Sequence, residues 1–269
     1  MEHISYSQWK TYTSCPRSWY LSKVRQAEER QSWYIPIGSA VHEGVEAHLK
    51  GEPFDLTARF YELVEDQMYF EPDLSKWLAG GPEDAPTKEE KALQRASECL
   101  SKALEELEAI DVWEVEYDAS GRLPGLSVPV KAFVDIIGEH KRKGPTIWDW
   151  KTGSTKPGNF QLETYAALLK TQDFLRNYTT GKQDSPWGRY VMLAPGSANT
   201  RYVDLSEVNP EEVGAKYQAA VDRIEGKHYE TKAGFGCKFC FQADNCLVNA
   251  GMTKRAVYYD KSEEDGYPF

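Results

Sequence analysis

Apolar positions along this chain change their period part-way. From Ser5 to about residue 110 they recur every three or four residues, the spacing of one helical face. Ser5-Tyr6-Ser7-Gln8 has the spacing of a capping box, and Ile4 and Trp9 stand where a hydrophobic staple closes, so a helix is expected to start at Ser5. Cys15-Pro16 should end or kink it, with a short helical run from Arg17 to Val24. Gly38 to Lys50 reads as the next helix, with Val41, Val45 and Leu49 at helical spacing and His42 and Glu46 paired one turn apart beside them. Residues 52–110 read as a helical insertion. It comprises Phe54 to Tyr69, a Gly80-Gly81-Pro82 loop, and a helix opened by the capping box Thr87-Lys88-Glu89-Glu90 and running to Ala109.

After residue 110 the period falls to two. Val112 to Asp118, Val128 to Ile137 and Thr146 to Lys151 read as strands, the last two separated by the polar turn Glu139 to Gly144. Asn159 to Lys170 returns to a helix with a Leu162, Ala166, Leu169 stripe. Two more strands follow, Arg189 to Ala194 and Arg201 to Leu205, then a helix from Pro210 to Ile224 and a polar tail over 260–269. Strands interleaved with helices predict an α/β class, and no internal repeat is present.

The composition, 41% hydrophobic and 13% aromatic over 269 residues, excludes disorder and a disulfide miniprotein. No apolar run is long enough to span a bilayer, and the first residues lack the basic and apolar regions of a signal peptide, so no membrane association and a cytoplasmic location are expected. The net charge of −10 argues against a polyanion partner only until it is divided along the chain: residues 52–118 hold 19 acids and 6 bases, leaving 23 acids and 26 bases elsewhere. A DNA-binding surface outside that acidic block is therefore compatible with the charge. Lys141-Arg142-Lys143, Lys131, Lys151, Lys156 and Arg17 are the cations that could track phosphates, and exposed aromatics could stack on unpaired bases.

Strand alternation puts Ile147, Asp149 and Lys151 on one face, with Trp148 and Trp150 on the other. The preceding strand carries Asp135, which a hairpin can bring alongside Asp149. Two carboxylates beside one ammonium form a hard oxygen site for Mg²⁺ or Mn²⁺ with a lysine placed to help deprotonate water, whereas an isolated Asp-x-Lys is a cross-strand salt bridge. Gln161 and Tyr165 lie one turn apart at the start of the next helix. Cys237-x2-Cys240-x5-Cys246 provides three thiols, one short of a closed tetrahedral set, and Cys15 is the natural fourth. The spacing leaves zinc, an iron-sulfur cluster and free thiols open. Cys99 occupies an apolar position and reads as a buried thiol.

In order, Gly38-Ser39-Ala40-Val41-His42, Val130 to Asp135, Asp149-Trp150-Lys151 and Gln161-Leu162-Glu163-Thr164-Tyr165 resemble the motifs of the RecB-like branch of the PD-(D/E)XK nuclease superfamily. Ala132 stands where many relatives carry glycine. The resemblance implies a restriction-endonuclease-like core, a central mixed sheet flanked by helices, with a helical N-terminal region. It implies one nuclease domain over 1–269 with its catalytic core at 112–205. Asp135 and Asp149 would bind metal by side chain, Trp150 by its carbonyl and His42 by its imidazole, the last tilting preference toward Mn²⁺. Lys151 would be catalytic, with Gln161 and Tyr165 holding the strand. The split cysteines resemble the 4Fe-4S staple of CRISPR-associated RecB-like nucleases and of AddB, held by Cys15, Cys237, Cys240 and Cys246. The implied reaction is metal-dependent hydrolysis of DNA, by an exonuclease on single-stranded ends in the 5′-to-3′ sense, in recombination, repair, viral DNA metabolism or CRISPR adaptation. A helicase or recombination partner would drive any unwinding. The rival is a non-catalytic DNA-end-binding or recombination protein of the same fold.

Overall fold

The structure is a computed structural model that describes residues 1–78, 85–179 and 185–246. Its centre is a five-stranded mixed sheet in the order β2-β4-β5-β6-β7, formed by β2 (Ile110–Asp118), β4 (Phe133–His140), β5 (Gly144–Lys151), β6 (Trp187–Met192) and β7 (Val203–Asp204). A short parallel pair, β1 (Ile4–Ser5) with β3 (Val130–Lys131), ties the N-terminus to the strand entering β4. β2, β4 and β5 run antiparallel, but β5 and β6 are parallel. A parallel pair needs a crossover, and α6 (Phe160–Thr171) lies in that connection.

Helices cover both faces. On one side α1 (Tyr6–Ser14), α2 (Pro16–Lys23), α6 and α7 (Pro210–Glu225) share a core with Ile137, Ile147, Tyr190 and Met192. On the other, α3 (Tyr34–Lys50), α4 (Leu56–Met68) and α5 (Ala85–Leu107) pack over Ile136, Trp148, Trp150 and Val191. α5 faces the sheet with Ala92, Ala96, Cys99, Ala103 and Leu107, a stripe of mainly small side chains that lets it lie close to the two tryptophans. Burying each large side chain there contributes roughly 1.5–3 kcal/mol.

The elements follow the expected order, with local differences. Ser5 caps α1, its hydroxyl accepting from the Gln8 N–H at 3.2 Å, and Pro16 opens α2 directly after the break at Cys15. α3 begins four residues before Gly38, because Pro36 is tolerated in a first turn that needs no N–H donor. α5 begins at Ala85, so Thr87 to Glu90 lie inside its first turns and do not cap it. The expected His42–Glu46 pair does not form: Glu46 bridges to Lys50, and His42 turns to β2 and β4. The Gly80-Gly81-Pro82 loop and the 260–269 tail lie outside the described residues.

A bulge in β2 sets the site. Between Val112 and Glu114 the β2–β4 register shifts by one residue, so Val115 pairs with Ile136 and Tyr117 with Val134. Gly138 permits it, since a Cβ there would lie 2.3 Å from the Asp111 carbonyl oxygen. Because a one-residue slip changes every cross-strand partner, the bulge brings Glu116, not Val115, opposite Asp135.

Candidate functional site

The β4–β5 hairpin pairs Ile137 with Ile147 and Ile136 with Trp148, and the same register carried one step further sets Asp135 against Asp149. Both carboxylates are buried, Asp135 to 7% and Asp149 to 1% exposure, so each needs partners to remain charged. The Trp150 backbone N–H donates to Asp135 Oδ2 at 2.6 Å, fixing that side chain, while Asp135 Oδ1 lies 3.7 Å from His42 Nδ1. Asp149 Oδ2 pairs with the Lys151 ammonium. Asp149 Oδ1 accepts from the Tyr165 hydroxyl at 3.4 Å, and Gln161 donates to that hydroxyl at 2.7 Å. The structure thus gathers Asp135, Asp149, Lys151, His42, Gln161 and Tyr165 in one place. Trp150 joins them by its backbone, its ring being buried on the opposite face of the sheet as alternation requires.

Electrostatics follow from this packing. Burial pushes the Asp135 carboxyl up, and His42 pulls against it. Burial alone would lower His42, but Asp135 and then Glu116 outweigh it and raise the imidazole to about 9. Burial likewise opposes the Lys151 ammonium, and Asp149 followed by Asp135 more than compensate, so its pKa is raised. Burial, then Asp149, hold Tyr165 well above the ordinary phenol value, which keeps its proton available for donation to Asp149.

Two residues near this centre escape the sequence pattern. Glu116 Oε1 lies 3.3 Å from His42 Nδ1, and ligand atoms of His42, Glu116 and Asp135 all lie within 4.8 Å of one another. By alternation Glu114, Glu116 and Asp118 share a face and nothing singles out Glu116; the bulge and a left-handed backbone at Glu116, φ 47°, do. Tyr6, the first residue of α1, brings its phenol into the field of Lys151 and Asp149. Its position follows from the β1–β3 pairing, a two-residue contact too short to read from sequence.

The cations expected to follow phosphates divide in the structure. Lys131, Lys141, Arg142 and Lys156 are exposed, and Lys143 lies over the Trp187 ring at 3.8 Å. Arg17 is a correction: it is 2% exposed, packed 5.4 Å from the Tyr20 ring, and belongs to the interior of the helical layer.

The cysteines converge from the chain's two ends. Cys15 ends α1, Cys237 lies within a short 3₁₀ turn (Phe235–Phe239) that Cys240 follows, and Cys246 follows another, all four lining one cavity of about 390 Å³ with Ser18, Phe241 and Gln242. Cys240 Sγ lies 3.5 Å from the Ser18 hydroxyl, and the Gly234 N–H donates to Cys237 Sγ at 3.4 Å. Among the described residues no three of these sulfurs approach within 4.8 Å of one another, in contrast to His42, Glu116 and Asp135. Cys99 is fully buried in α5, far from this set in the fold, and burial raises its thiol.

A family model of the PD-(D/E)XK nuclease superfamily matches residues 3–246, from the strand before α1 through Cys246. The chain belongs to the PD-(D/E)XK nuclease superfamily. Its mixed sheet flanked by helices is the architecture that membership implies, and DNA and divalent metal are the substrate and cofactor classes of these nucleases. The chain is similar to the Gene 69 protein of Mycobacterium phage D29, at 24% identity over 270 residues, covering 91% of this chain and 96% of that one. It is also similar to a crystal structure of a candidate exonuclease from Eubacterium rectale, at 13% identity and TM-score 0.49, covering 98% of this chain and 92% of that one. Among the described residues of this PD-(D/E)XK nuclease, no helix is long and apolar enough to cross a membrane.

Proposed function

We propose that this PD-(D/E)XK nuclease is a RecB-like, metal-dependent DNA exonuclease that degrades single-stranded ends in the 5′-to-3′ sense. The convergence of buried Asp135 and Asp149 with Lys151 and His42 carries the reading, because a binding protein gains nothing from burying two carboxylates beside one lysine. The donor set, carboxylate oxygens with one imidazole, fits Mn²⁺ or Mg²⁺, with Asp135, Asp149, His42 and the Trp150 carbonyl as the holding groups. When bound, the cation supplies Lewis-acid stabilisation of the charge that develops on the scissile phosphate.

The protein's own groups do the rest. Lys151 holds a positive charge beside that phosphate and orients water toward phosphorus. Tyr165, braced by Gln161, holds Asp149 Oδ1 while Lys151 pairs with Oδ2, so the carboxylate keeps one orientation in the centre. The preference for ends and the 5′-to-3′ sense rest on the resemblance of the ordered motifs to RecB-like nucleases.

Cys15, Cys237, Cys240 and Cys246 are assigned to a 4Fe-4S cluster that staples the N-terminal helices to the C-terminal segment of a single nuclease domain. The split of one early and three late cysteines, which resembles the 4Fe-4S staple of CRISPR-associated RecB-like nucleases and of AddB, supports iron-sulfur over zinc.

Anaerobic purification followed by digestion of end-labelled single-stranded DNA, with and without Mn²⁺, tests the reading. Mn²⁺-dependent release of nucleotides from the 5′ end is expected, with iron near four per chain. Tight DNA-end binding without digestion in either metal would establish the non-catalytic rival.

A further inference from the structure

We propose that Glu116 is a direct protein ligand of the divalent cation, a fifth holding group besides His42, Asp135, Asp149 and the Trp150 carbonyl. The inference rests on the metal-dependent reading above and deepens it. Three features of the chain converge on this residue. The bulge between Val112 and Glu114 shifts β2 by one residue and so brings Glu116 opposite Asp135. The backbone at Glu116 is left-handed, φ 47°, a conformation a β-strand residue other than glycine takes up only when its surroundings impose it. That kink turns the carboxylate toward α3, where His42 Nδ1 lies 3.3 Å from Glu116 Oε1 and 3.7 Å from Asp135 Oδ1.

The spacing is that of ligands on one ion. Oxygen and nitrogen donors about 2.1 Å from an octahedral cation sit roughly 3.0 Å apart along each edge; here the His42–Glu116 edge is 3.3 Å, the His42–Asp135 edge is 3.7 Å and all three donors lie within 4.8 Å of one another, so a bound ion would draw them in. A second observation points the same way: Asp149 is 1% exposed beside the group and adds a further carboxylate, held only by Lys151 and by a long bond from Tyr165. A purely structural His42–Glu116 contact explains neither the strained backbone nor the extra carboxylates crowded around one imidazole. A cation explains both, since it draws three or four negative or neutral donors together where a single proton can satisfy only one pair.

The rival role for Glu116 is to orient His42 without touching the ion. Either role weakens metal affinity when lost, by about 10- to 100-fold even for an outer carboxylate, so affinity alone does not separate them. The count of water molecules on the bound ion does. Mn²⁺ is titrated into the full-length protein and into Glu116→Gln and Glu116→Gly, with free Mn²⁺ followed by electron paramagnetic resonance and bound water by the water-proton relaxivity. Glutamine keeps an acceptor for His42 but is a poor ligand; glycine suits the left-handed backbone and guards against a variant that merely fails to fold.

The expected result is a Mn²⁺ dissociation constant raised at least tenfold in both variants, with one additional water on the bound ion. In the absence of metal, Glu116→Gly should melt no lower than the parent. Unchanged water number in both variants overturns direct ligation, even if affinity falls. Unchanged affinity overturns any role at the ion. A parent protein that binds Mn²⁺ with the predicted hydration but cleaves no DNA would leave this ligand assignment standing and count against the nuclease reading alone.

Discussion

The carboxylate centre and the cysteine cavity are built in opposite ways. The first stands on the most rigid part of the fold: adjacent strands β4 and β5 hold Asp135, Asp149 and Lys151, and one turn of α6 braces them through Gln161 and Tyr165. Beside them, ligand atoms of His42, Glu116 and Asp135 lie within 4.8 Å of one another. The second is drawn from the end of α1 and from short 3₁₀ turns some 220 residues later, and its four cysteines line a cavity of about 390 Å³. One site is made by the fold; the other makes part of the fold. Metal should therefore act as a reagent in the first and as a cross-link in the second.

The largest test of this contrast removes a reagent-site group. Lys151→Ala should lower DNA digestion by about 10³-fold or more, the scale of a lost acid–base or charge-stabilising group, while the thermal midpoint and DNA binding stay near those of the parent. A gel assay with end-labelled DNA beside a melting curve reads both. Large unfolding in this variant would move the carboxylate centre into the structural class and erase the contrast.

Cys240→Ser probes the other side. Loss of iron, loss of the visible absorption and a lowered thermal midpoint should occur together, and limited proteolysis should cut first in α1, α2 and the 3₁₀ segments, leaving the β4–β5 hairpin protected. A variant that keeps its midpoint and full digestion would show the cavity to be dispensable to the fold. Activity should fall in step with folding, in contrast to Lys151→Ala.

Next in size is the dependence of metal binding on pH. In the metal-free protein the His42 pKa is raised to about 9 by Asp135 and Glu116, so its proton stabilises the fold fully below the unfolded value near ~6.5 and this contribution is lost as pH rises through about 9. A cation must displace that proton. Mn²⁺ affinity should thus climb by up to about tenfold per pH unit between 7 and 9 and level off above, and the gain in thermal midpoint on adding Mn²⁺ should widen over the same interval. Isothermal titration at three pH values reads the slope. A flat profile would mean that His42 does not contact the ion. The cluster, already bound as thiolates, should show no such trend.

The two sites also differ in how far sequence reveals them. The carboxylate centre was legible because period-two strands and a period-3.6 helix fix where Asp135, Asp149, Lys151, Gln161 and Tyr165 point, and the structure unites all five. Glu116 and Tyr6 were not legible. Their placement depends on a bulge admitted by Gly138 and on a two-residue strand pair, both tertiary choices that leave no periodic trace. Arg17 misled for a related reason: its charge suggests the surface, but it sits in the first turn of α2 with its guanidinium over the Tyr20 ring. The cysteines were legible by count and spacing alone. Periodicity has no hold on turns, so their meeting around one cavity was an inference from ligand arithmetic.

The finest test asks how rigid the reagent site is. Tyr165→Phe removes the hydroxyl that links Gln161 to Asp149 while leaving the ring in the core beside Leu162, Ala166 and Leu169. The bond to Asp149, at 3.4 Å, is long, so its loss should cost about 0.5–1.5 kcal/mol, roughly a two- to thirteenfold fall in digestion. Because the Asp149 carboxylate would then be held by Lys151 alone, the fall should appear in kcat more than in KM, with Mn²⁺ affinity reduced only slightly. A Gln161→Leu variant should reproduce the loss, since without its donor partner the Tyr165 hydroxyl is no longer aimed. If both changes together cost no more than either alone, the pair acts as one brace on Asp149; fully additive losses would mean that Gln161 and Tyr165 serve separate ends of the bound strand.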